Sequence, residues 1–181
     1  MTLTRPLALL VFISAAAASR LLPHPPNFTP IAAIALFGGA SFYDRRVAFL
    51  VPLAAMLLSD LVIGFHRLMP LVYGSFALTV LLGFWLRRRR TPQTVLGVAL
   101  ASSAVFFAIT NFGVWAMGSL YPHTLEGLIA AYVAAIPFFR NTVLGDLCYA
   151  SVLFGGFALL ERPFPVLREA AEVTTTSSSV A

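Results

Sequence analysis

Long apolar runs separated by short polar stretches extend from the start of the chain to about residue 160. Most of these runs have a length that helices use in lipid, although the second is short. Six of them are predicted as helices, at about residues 6–21, 30–43, 47–65, 70–86, 93–117 and 142–160.

The start and stop residues of these runs support several boundaries. Pro30 fits the first turn of the second helix. The polar stretch 43–46 is predicted to end that helix as an interfacial anchor. Thr91 is predicted to cap the fifth helix, with Pro92 at its first position.

A seventh apolar stretch, 124–138, is also short. Thr124 is a good N-cap, Glu126 suits a first helical turn, and Pro137 is expected to end the helix. At 1.5 Å per residue the stretch reaches about 22 Å, less than a bilayer core of about 30 Å. It is therefore predicted as an interfacial or re-entrant helix.

The first apolar run has two interpretations. Arg5, the apolar run after it and the small residues 14–19 resemble a signal peptide with its cleavage site. The run also continues into Leu21 and Leu22, and its alanine-rich face suits close helix packing. We expect a retained transmembrane helix, with cleavage as the alternative.

Composition makes lipid the expected solvent. Of 181 residues, 59% are hydrophobic and only 10% are charged, against about 25% charged residues in soluble domains. The mean hydropathy is +0.88. The chain is predicted to be an all-α polytopic membrane protein with six transmembrane helices. A single transmembrane domain is expected over 1–165, with a disordered, polar cytoplasmic tail over 166–181.

The net charge of +5 comes from twelve basic residues, all of them arginine. They follow topology rather than forming a nucleic-acid face, since six crossings with both ends inside place nine arginines in cytoplasmic segments. Arg20, Arg67 and Arg140 then lie outside. If 124–138 crossed the membrane, the split would be eight against four. Cytoplasmic termini are therefore predicted.

Polar residues gather on the predicted outer side. Polar groups at membrane depth are costly, and they usually face a cavity or each other. A ligand cavity is favoured over a buried network in which Asp60 or Asp146 pairs with Arg140. The candidate binding residues are His24, Asn27, Phe28, Asp60, His66, Tyr73, Ser75, Asn111, Arg140, Asn141 and Asp146.

The loop at residues 20–30 contains four prolines, and it is therefore expected to be stiff. It would hold His24, Asn27 and Phe28 over the mouth of the cavity. His66 is the best candidate metal ligand. A zinc site built from all three histidines is the less favoured alternative, because their spacing carries no signal.

Catalytic and nucleotide-binding patterns are absent from the sequence. Cys148 is the single cysteine, so neither a disulfide nor a CxxC site forms. No Walker A, GxGxxG or HExxH pattern occurs. The protein is therefore not expected to be an enzyme or to hydrolyse ATP by itself, and it needs no catalytic cofactor.

Several motifs resemble a known family. The stretch SRLLPHPPNFTPIAAIALFGGASF, followed by DRR, PLAAMLLSDLVIGFH and VYGSFALTVLLGF, is similar to the S components of energy-coupling-factor (ECF) vitamin transporters. The most similar type is the solitary cobalamin transporters (BtuM-like). The resemblance covers about residues 14–160.

The resemblance implies a bacterial inner-membrane protein with a six-helix S-component fold. It also implies an external substrate pocket formed by the loops after helices 1, 3 and 5. Cobalamin is the implied transported ligand. Small residues of the first helix, here Ser14 and Ala18, would dock an ECF coupling subunit that works with ATPases. Some cobalamin-type members present a cysteine to cobalt, whereas Ser75 stands at a plausible pocket position here. His66, another outer histidine, Cys148 or no protein ligand would then meet the metal.

The sequence is thus compatible with three functions. The leading one is a membrane protein that binds and translocates a vitamin-like solute, with lipid as its surroundings and no nucleic-acid partner. It would either use a coupling module or work alone. An intramembrane enzyme using Asp60, His66 and Ser75 is the second. The third is a scaffold subunit of a larger membrane complex.

Overall fold

Helices connected by short turns build the whole part of the chain that the computed structural model describes, residues 4–168. No strand occurs within that range, so the predicted all-α fold class is confirmed. The helices are α1 (Arg5–Ser19), α2 (Ile31–Ser41), α3 (Arg45–Ile63), α4 (Met69–Leu86), α5 (Pro92–Met117), α6 (Leu125–Ala150) and α7 (Gly156–Leu160). A π-helical turn, Ser151–Gly155, joins α6 to α7, and a 3-10 turn follows at Pro165–Leu167.

Four helical segments are long and apolar enough to cross a membrane. They are α3, α4, α5 and the continuous segment Leu125–Leu160, which contains α6, the π-helical turn and α7. The helices α1 and α2 are apolar but shorter, with 15 and 11 residues. The architecture is a helical membrane bundle.

The interpretation of 124–138 as a separate re-entrant helix is wrong. Thr124 does cap the helix, since its hydroxyl accepts a hydrogen bond from the Gly127 amide at 3.2 Å. Pro137, however, lies inside α6 and does not end it. A proline inside a helix costs about 3 kcal/mol, and packing of α6 against α5 offsets this cost. Residues 125–160 therefore form one helical segment.

The short helix α2 lies at the centre of the bundle, and all eleven of its residues are buried. It packs closely against α4 through two glycines. A Cβ added at Gly83 would lie 2.5 Å from the Leu36 carbonyl oxygen and 2.9 Å from the Gly39 Cα. Glycine is required there because the two backbones approach so closely.

Arginines from the turn after α4 bind the end of α2. Arg87 donates to the carbonyl oxygens of Gly39 at 2.9 Å and of Phe42 at 2.5 Å, and Arg90 donates to that of Ala40. The last carbonyls of a helix have no partner within the helix. The arginine run thus provides hydrogen-bond partners for carbonyls at the end of α2.

The polar stretch 43–46 was predicted to end the second helix, but it mainly begins the third. The Asp44 carboxylate accepts hydrogen bonds from the amides of Arg46 and Val47, which makes Asp44 the N-cap of α3. Thr91 caps α5 in the same way by accepting from the Thr94 amide, as predicted. Arg45 and Arg46 therefore form the first turn of α3.

The first helix packs as an integral part of the bundle. Its Phe12 ring meets Phe157 edge-on, with 5.5 Å between ring centroids. Arg5 forms a 2.7 Å ion pair with Glu161 and also donates to the Leu167 carbonyl. Leu167 is buried, so the bundle extends beyond the predicted boundary at residue 165. The remainder of the predicted tail, 169–181, lies outside the described residues.

The connecting segments collect at two ends. The cavity end carries the segments 20–30, 64–68 and 118–124, and the arginine end carries 42–44, 87–91 and 161–168. Nine arginines lie at or beside the arginine end, as expected. Arg140 was predicted to lie in an outer loop, but it lies within α6.

Cysteine labelling tests the membrane orientation of the two ends. In a Cys148→Ser background, Arg67→Cys and His123→Cys should react with an impermeant thiol reagent added outside intact cells. Arg89→Cys should react only after the membrane is opened, because the arginine end is expected inside. Labelling of Arg89→Cys in intact cells would show that the arginine end faces outside and that the predicted orientation is wrong.

The contact between α2 and α4 gives a stability prediction. Gly83→Ala should lower the free energy of unfolding by about 1–3 kcal/mol through overpacking. Gly97→Ala is the matched control, because no atom lies within 4 Å of a Cβ built there. It should change stability by at most about 1 kcal/mol, and in the stabilising direction. Thermal unfolding in detergent measures both, and equal midpoints would contradict the close approach of the helices.

Candidate functional site

A cavity of about 320 Å³ lies toward the cavity end, within the bundle. Its walls come from the loop 20–30, the start of α2, the turn before α4, and the helices α4, α5 and α6. Its polar lining residues are Arg20, Asn27, Thr29, His66, Thr110, Asn111, Thr142 and Asp146.

The shortness of α2 creates this space. Gly39 of α2 lies against Gly83 of α4, and the two helices run parallel. Counting back equally along both places Ile31, the first residue of α2, beside Ser75. The start of α2 is thus about two turns below the start of α4. Ile31 and Ala32 line the bottom of the gap that remains.

The loop 20–30 descends to close one side of the cavity. It meets α6 at Gly145, where an added Cβ would lie 3.2 Å from the Phe28 Cα. The Asn141 side chain donates to the Pro26 carbonyl at 3.0 Å. Asn27 adopts a left-handed conformation with a φ of 64°, which asparagine tolerates better than most residues. These contacts hold Asn27 and Thr29 at the cavity wall.

The proline content of this loop suits its depth. Non-helical backbone is tolerated within a membrane only where protein buries it or a cavity hydrates it. Pro23, Pro25, Pro26 and Pro30 have no amide hydrogen. The loop therefore brings four fewer donors that need partners than a chain without prolines would.

A buried ion pair fixes the end of α1 to α3. Arg20 Nη1 lies 2.5 Å from Asp60 Oδ1 and 2.5 Å from Ser59 Oγ. The Tyr73 hydroxyl donates to Asp60 Oδ2 at 3.0 Å. The alternative pairing of Asp60 with Arg140 is therefore wrong. Arg20 lines the cavity, while Asp60 and Tyr73 lie behind it.

Asp146 is a second buried carboxylate, and it lines the cavity directly. Its side chain is 3% exposed and accepts a 2.6 Å hydrogen bond from Ser103. Among residues 4–168, no basic side chain lies within 4 Å of it. The alternative pairing of Asp146 with Arg140 is thus also wrong.

Phenylalanines form the apolar part of the wall. Phe76 and Phe106 are stacked, with ring centroids 5.2 Å apart. Phe107 and Phe139 lie 4.6 Å apart, and Phe138 adds a further ring. An aromatic wall with a few polar groups is the usual composition of a small-molecule site.

The sequence-predicted site residues fall into four groups. Asn27, His66, Asn111 and Asp146 line the cavity. Asp60 and Tyr73 belong to the ion-pair network behind it. His24, Phe28 and Asn141 hold the loop 20–30 in place. The His24 ring lies 3.0 Å from the Pro25 carbonyl oxygen, and the Phe28 ring packs on Tyr149. The remaining two do not reach the cavity: Ser75 is buried and donates to the Leu71 carbonyl, and Arg140 is exposed on α6.

Sequence reasoning missed the cavity-facing stripe of α6. Ala135, Phe138, Phe139, Thr142 and Asp146 recur at helical spacing and line the cavity together. This stripe continues past residue 137, where the helix was predicted to end. The residues on either side of Pro137 were therefore not predicted to share one helix face. On α5 the same spacing links Phe106, Thr110 and Val114.

Metal-binding groups do not converge in the described residues. No cluster of three or more His, Cys, Asp or Glu side chains able to hold a metal ion occurs within 4–168. His66 lines the cavity, whereas His123 packs against Trp115 with 5.7 Å between ring centroids. Cys148 is exposed and does not line the cavity. His66 is therefore the only one of the three histidines that a bound metal in the cavity would meet.

A second depression lies between α1 and α3. It has a volume of about 360 Å³ and an apolar lining that includes Ser14, Ala17 and Ala18 of α1 and Ala54 and Ala55 of α3. Ser14 and Ala18, predicted as docking residues, thus lie on an open face. We call this depression the α1–α3 groove.

The fold and cavity together define a polytopic helical membrane protein with a partly open cavity that has aromatic and polar walls. The chain belongs to a family of unknown function, DUF6580, whose model matches residues 1–167. No curated protein and no solved structure matches the chain.

The buried ion pair gives a stability prediction. Arg20→Ala should lower the free energy of unfolding by about 3–5 kcal/mol, because it leaves the Asp60 carboxylate buried without its partner. Arg67→Ala, an exposed arginine at the same end, should change it by less than about 0.5 kcal/mol.

Chemical denaturation in detergent measures both variants. The double variant Arg20→Ala/Asp60→Ala should be more stable than Arg20→Ala alone, since the uncompensated charge is gone. Equal stability of Arg20→Ala and Arg67→Ala would contradict the pairing.

Proposed function

We propose that the protein binds a vitamin-like organic solute in this cavity and mediates its uptake across the membrane. The observation that carries the proposal is a partly open cavity with an aromatic wall and polar groups from several separate segments. Such convergence at one depth is expected for a ligand site, because polar side chains in a membrane are otherwise costly.

The cavity volume bears on the identity of the solute. About 320 Å³ is at the low end of the roughly 300–1,000 Å³ typical of small-molecule sites. A solute of one or two rings fits this volume, whereas a corrinoid would place only part of its structure there. Cobalamin remains the specific candidate that the motif resemblance implies. The corrin ring supplies four ligands to cobalt, so the protein would need to supply at most one or two. Of the three histidines and Cys148, only His66 lines the cavity and could provide such a ligand.

The proposal includes a direction and a partner. With the cavity end outside and both termini cytoplasmic in a bacterial inner membrane, the solute enters from outside. Energy would come from a coupling subunit with ATPases, since the sequence has no nucleotide-binding motif of its own. The α1–α3 groove is the proposed docking face, because its small residues permit close approach of another helix.

Retained solute and its loss on mutation test the proposal. The purified protein should carry a bound small molecule, identified by absorption spectrum for a corrinoid or flavin and by mass spectrometry otherwise. His66→Ala and Asn111→Ala should each weaken retention by about 1–3 kcal/mol, the cost of a lost buried hydrogen bond. Uptake of radiolabelled cobalamin by cells expressing the protein tests that candidate directly.

His123→Ala is the matched control, because His123 is a loop histidine outside the cavity. It should retain as much solute as the wild type. Retention unchanged in both cavity variants would place binding elsewhere. Release of a chemically altered solute would instead favour an enzyme, and a partner protein purified without any solute would favour a scaffold subunit.

A further inference from the structure

We infer that the cavity selects a flat, positively charged solute whose cationic group pairs with Asp146. This inference rests on the proposed function and narrows its substrate to a chemical class. Four features of the cavity carry it: an uncompensated carboxylate, the balance of the other charges, the orientation of the neighbouring polar groups, and the aromatic wall.

Asp146 is placed to receive a cation. It lines the cavity from α6, and its Oδ2 accepts the Ser103 hydroxyl at 2.6 Å. No side chain or amide of residues 4–168 donates a hydrogen bond to its Oδ1, the second carboxylate oxygen. A buried carboxylate is usually paired with a cation or a full set of donors, and here the open side of the group faces the cavity.

The remaining charges do not cancel Asp146. Arg20 is the only arginine in the lining, and Asp60 neutralises it at 2.5 Å. The start of α2 at the cavity floor supplies about half a unit of positive charge from its helix dipole. Apart from His66, Asp146 is therefore the charged side chain of the lining that has no partner of opposite charge in the described part of the chain.

The two threonine hydroxyls of the cavity lining present acceptors rather than donors. The hydroxyls of Thr110 and Thr142 donate to the carbonyls of Phe106 and Phe138, at 2.8 Å and 3.0 Å. A hydroxyl has one hydrogen, so only its lone pairs remain for a ligand. Asn111 donates one amide hydrogen to the Phe107 carbonyl at 2.8 Å, which leaves its carbonyl oxygen and its second amide hydrogen for a ligand. A solute rich in donors or positive charge satisfies these groups best.

The aromatic wall favours the same class. The stacked pair Phe76 and Phe106 and the ring of Phe107 line the cavity with Asp146. Aromatic faces attract cations, and the attraction is stronger where water is excluded. A flat cation would therefore contact ring faces while its charge is paired with the carboxylate.

Three pyridine derivatives of nearly equal size separate charge from shape. They are 1-methylnicotinamide, a permanent cation; nicotinamide, which is neutral; and nicotinate, an anion. Binding of each to the purified protein in lipid nanodiscs is measured by isothermal titration calorimetry. The cation should bind the wild type about tenfold or more tightly than either analogue, as expected for a desolvated charge pair.

Asp146→Asn should abolish this preference while preserving the shape of the side chain. Asp44→Asn is the charge-matched control, since Asp44 caps α3 at the arginine end and asparagine caps a helix equally well. It should keep the wild-type preference. Thermal unfolding of both variants confirms that each remains folded, and Ser103→Ala gives a second route, because it should alter cation affinity without removing the charge.

Several outcomes overturn the inference. Equal or tighter binding of nicotinamide or nicotinate would show that charge is not selected, while leaving solute binding in the cavity intact. A cation preference that survives in Asp146→Asn would place the pairing elsewhere. If none of the three probes binds, a flat cation of this size is not accepted, and the inference is wrong. Only the further absence of any retained solute from the purified protein would also remove the proposed function.

Discussion

The length of α2 constrains the rest of this structure. Its eleven residues rise about 16 Å, roughly half of a bilayer core. It is also fully buried, so the unpaired backbone groups at its two ends do not lie at the outer surface of the bundle, where bulk water could bind them. Each end must be satisfied by protein or by a hydrated space.

The two ends of α2 meet this requirement differently. At the arginine end, guanidinium groups of Arg87 and Arg90 donate to its last carbonyls. At the other end, the loop 20–30 descends and the cavity opens above Ile31 and Ala32. At the arginine end, protein side chains satisfy the helix end, whereas at the other end a partly polar space remains that a solute can enter. The asymmetry between the two ends thus follows from one short helix.

Much of the fold could be predicted from the sequence, because lipid leaves few choices. Apolar length predicted the helices, and hydroxyl caps at Thr91 and Thr124 marked two starts correctly. Pro137 was misread because the rule for helix ends is local, whereas the contact of α6 with α5 that offsets its cost joins residues distant in sequence. The sequence correctly predicted that the polar residues of the site gather at one end of the bundle, but it did not predict which side chains they pair with. Spacing gives the face of a helix, and it does not tell which of several arginines reaches Asp60.

The ion pair that the sequence did not reveal also connects two surfaces. Arg20 lines the cavity, and its Nη1 lies 2.5 Å from both Asp60 and Ser59. Ser59 in turn lines the α1–α3 groove. One guanidinium therefore contacts groups that face both spaces. Breaking the pair would leave the buried Asp60 carboxylate without its cation. The Arg20 side chain therefore joins the wall of the cavity to the wall of the α1–α3 groove.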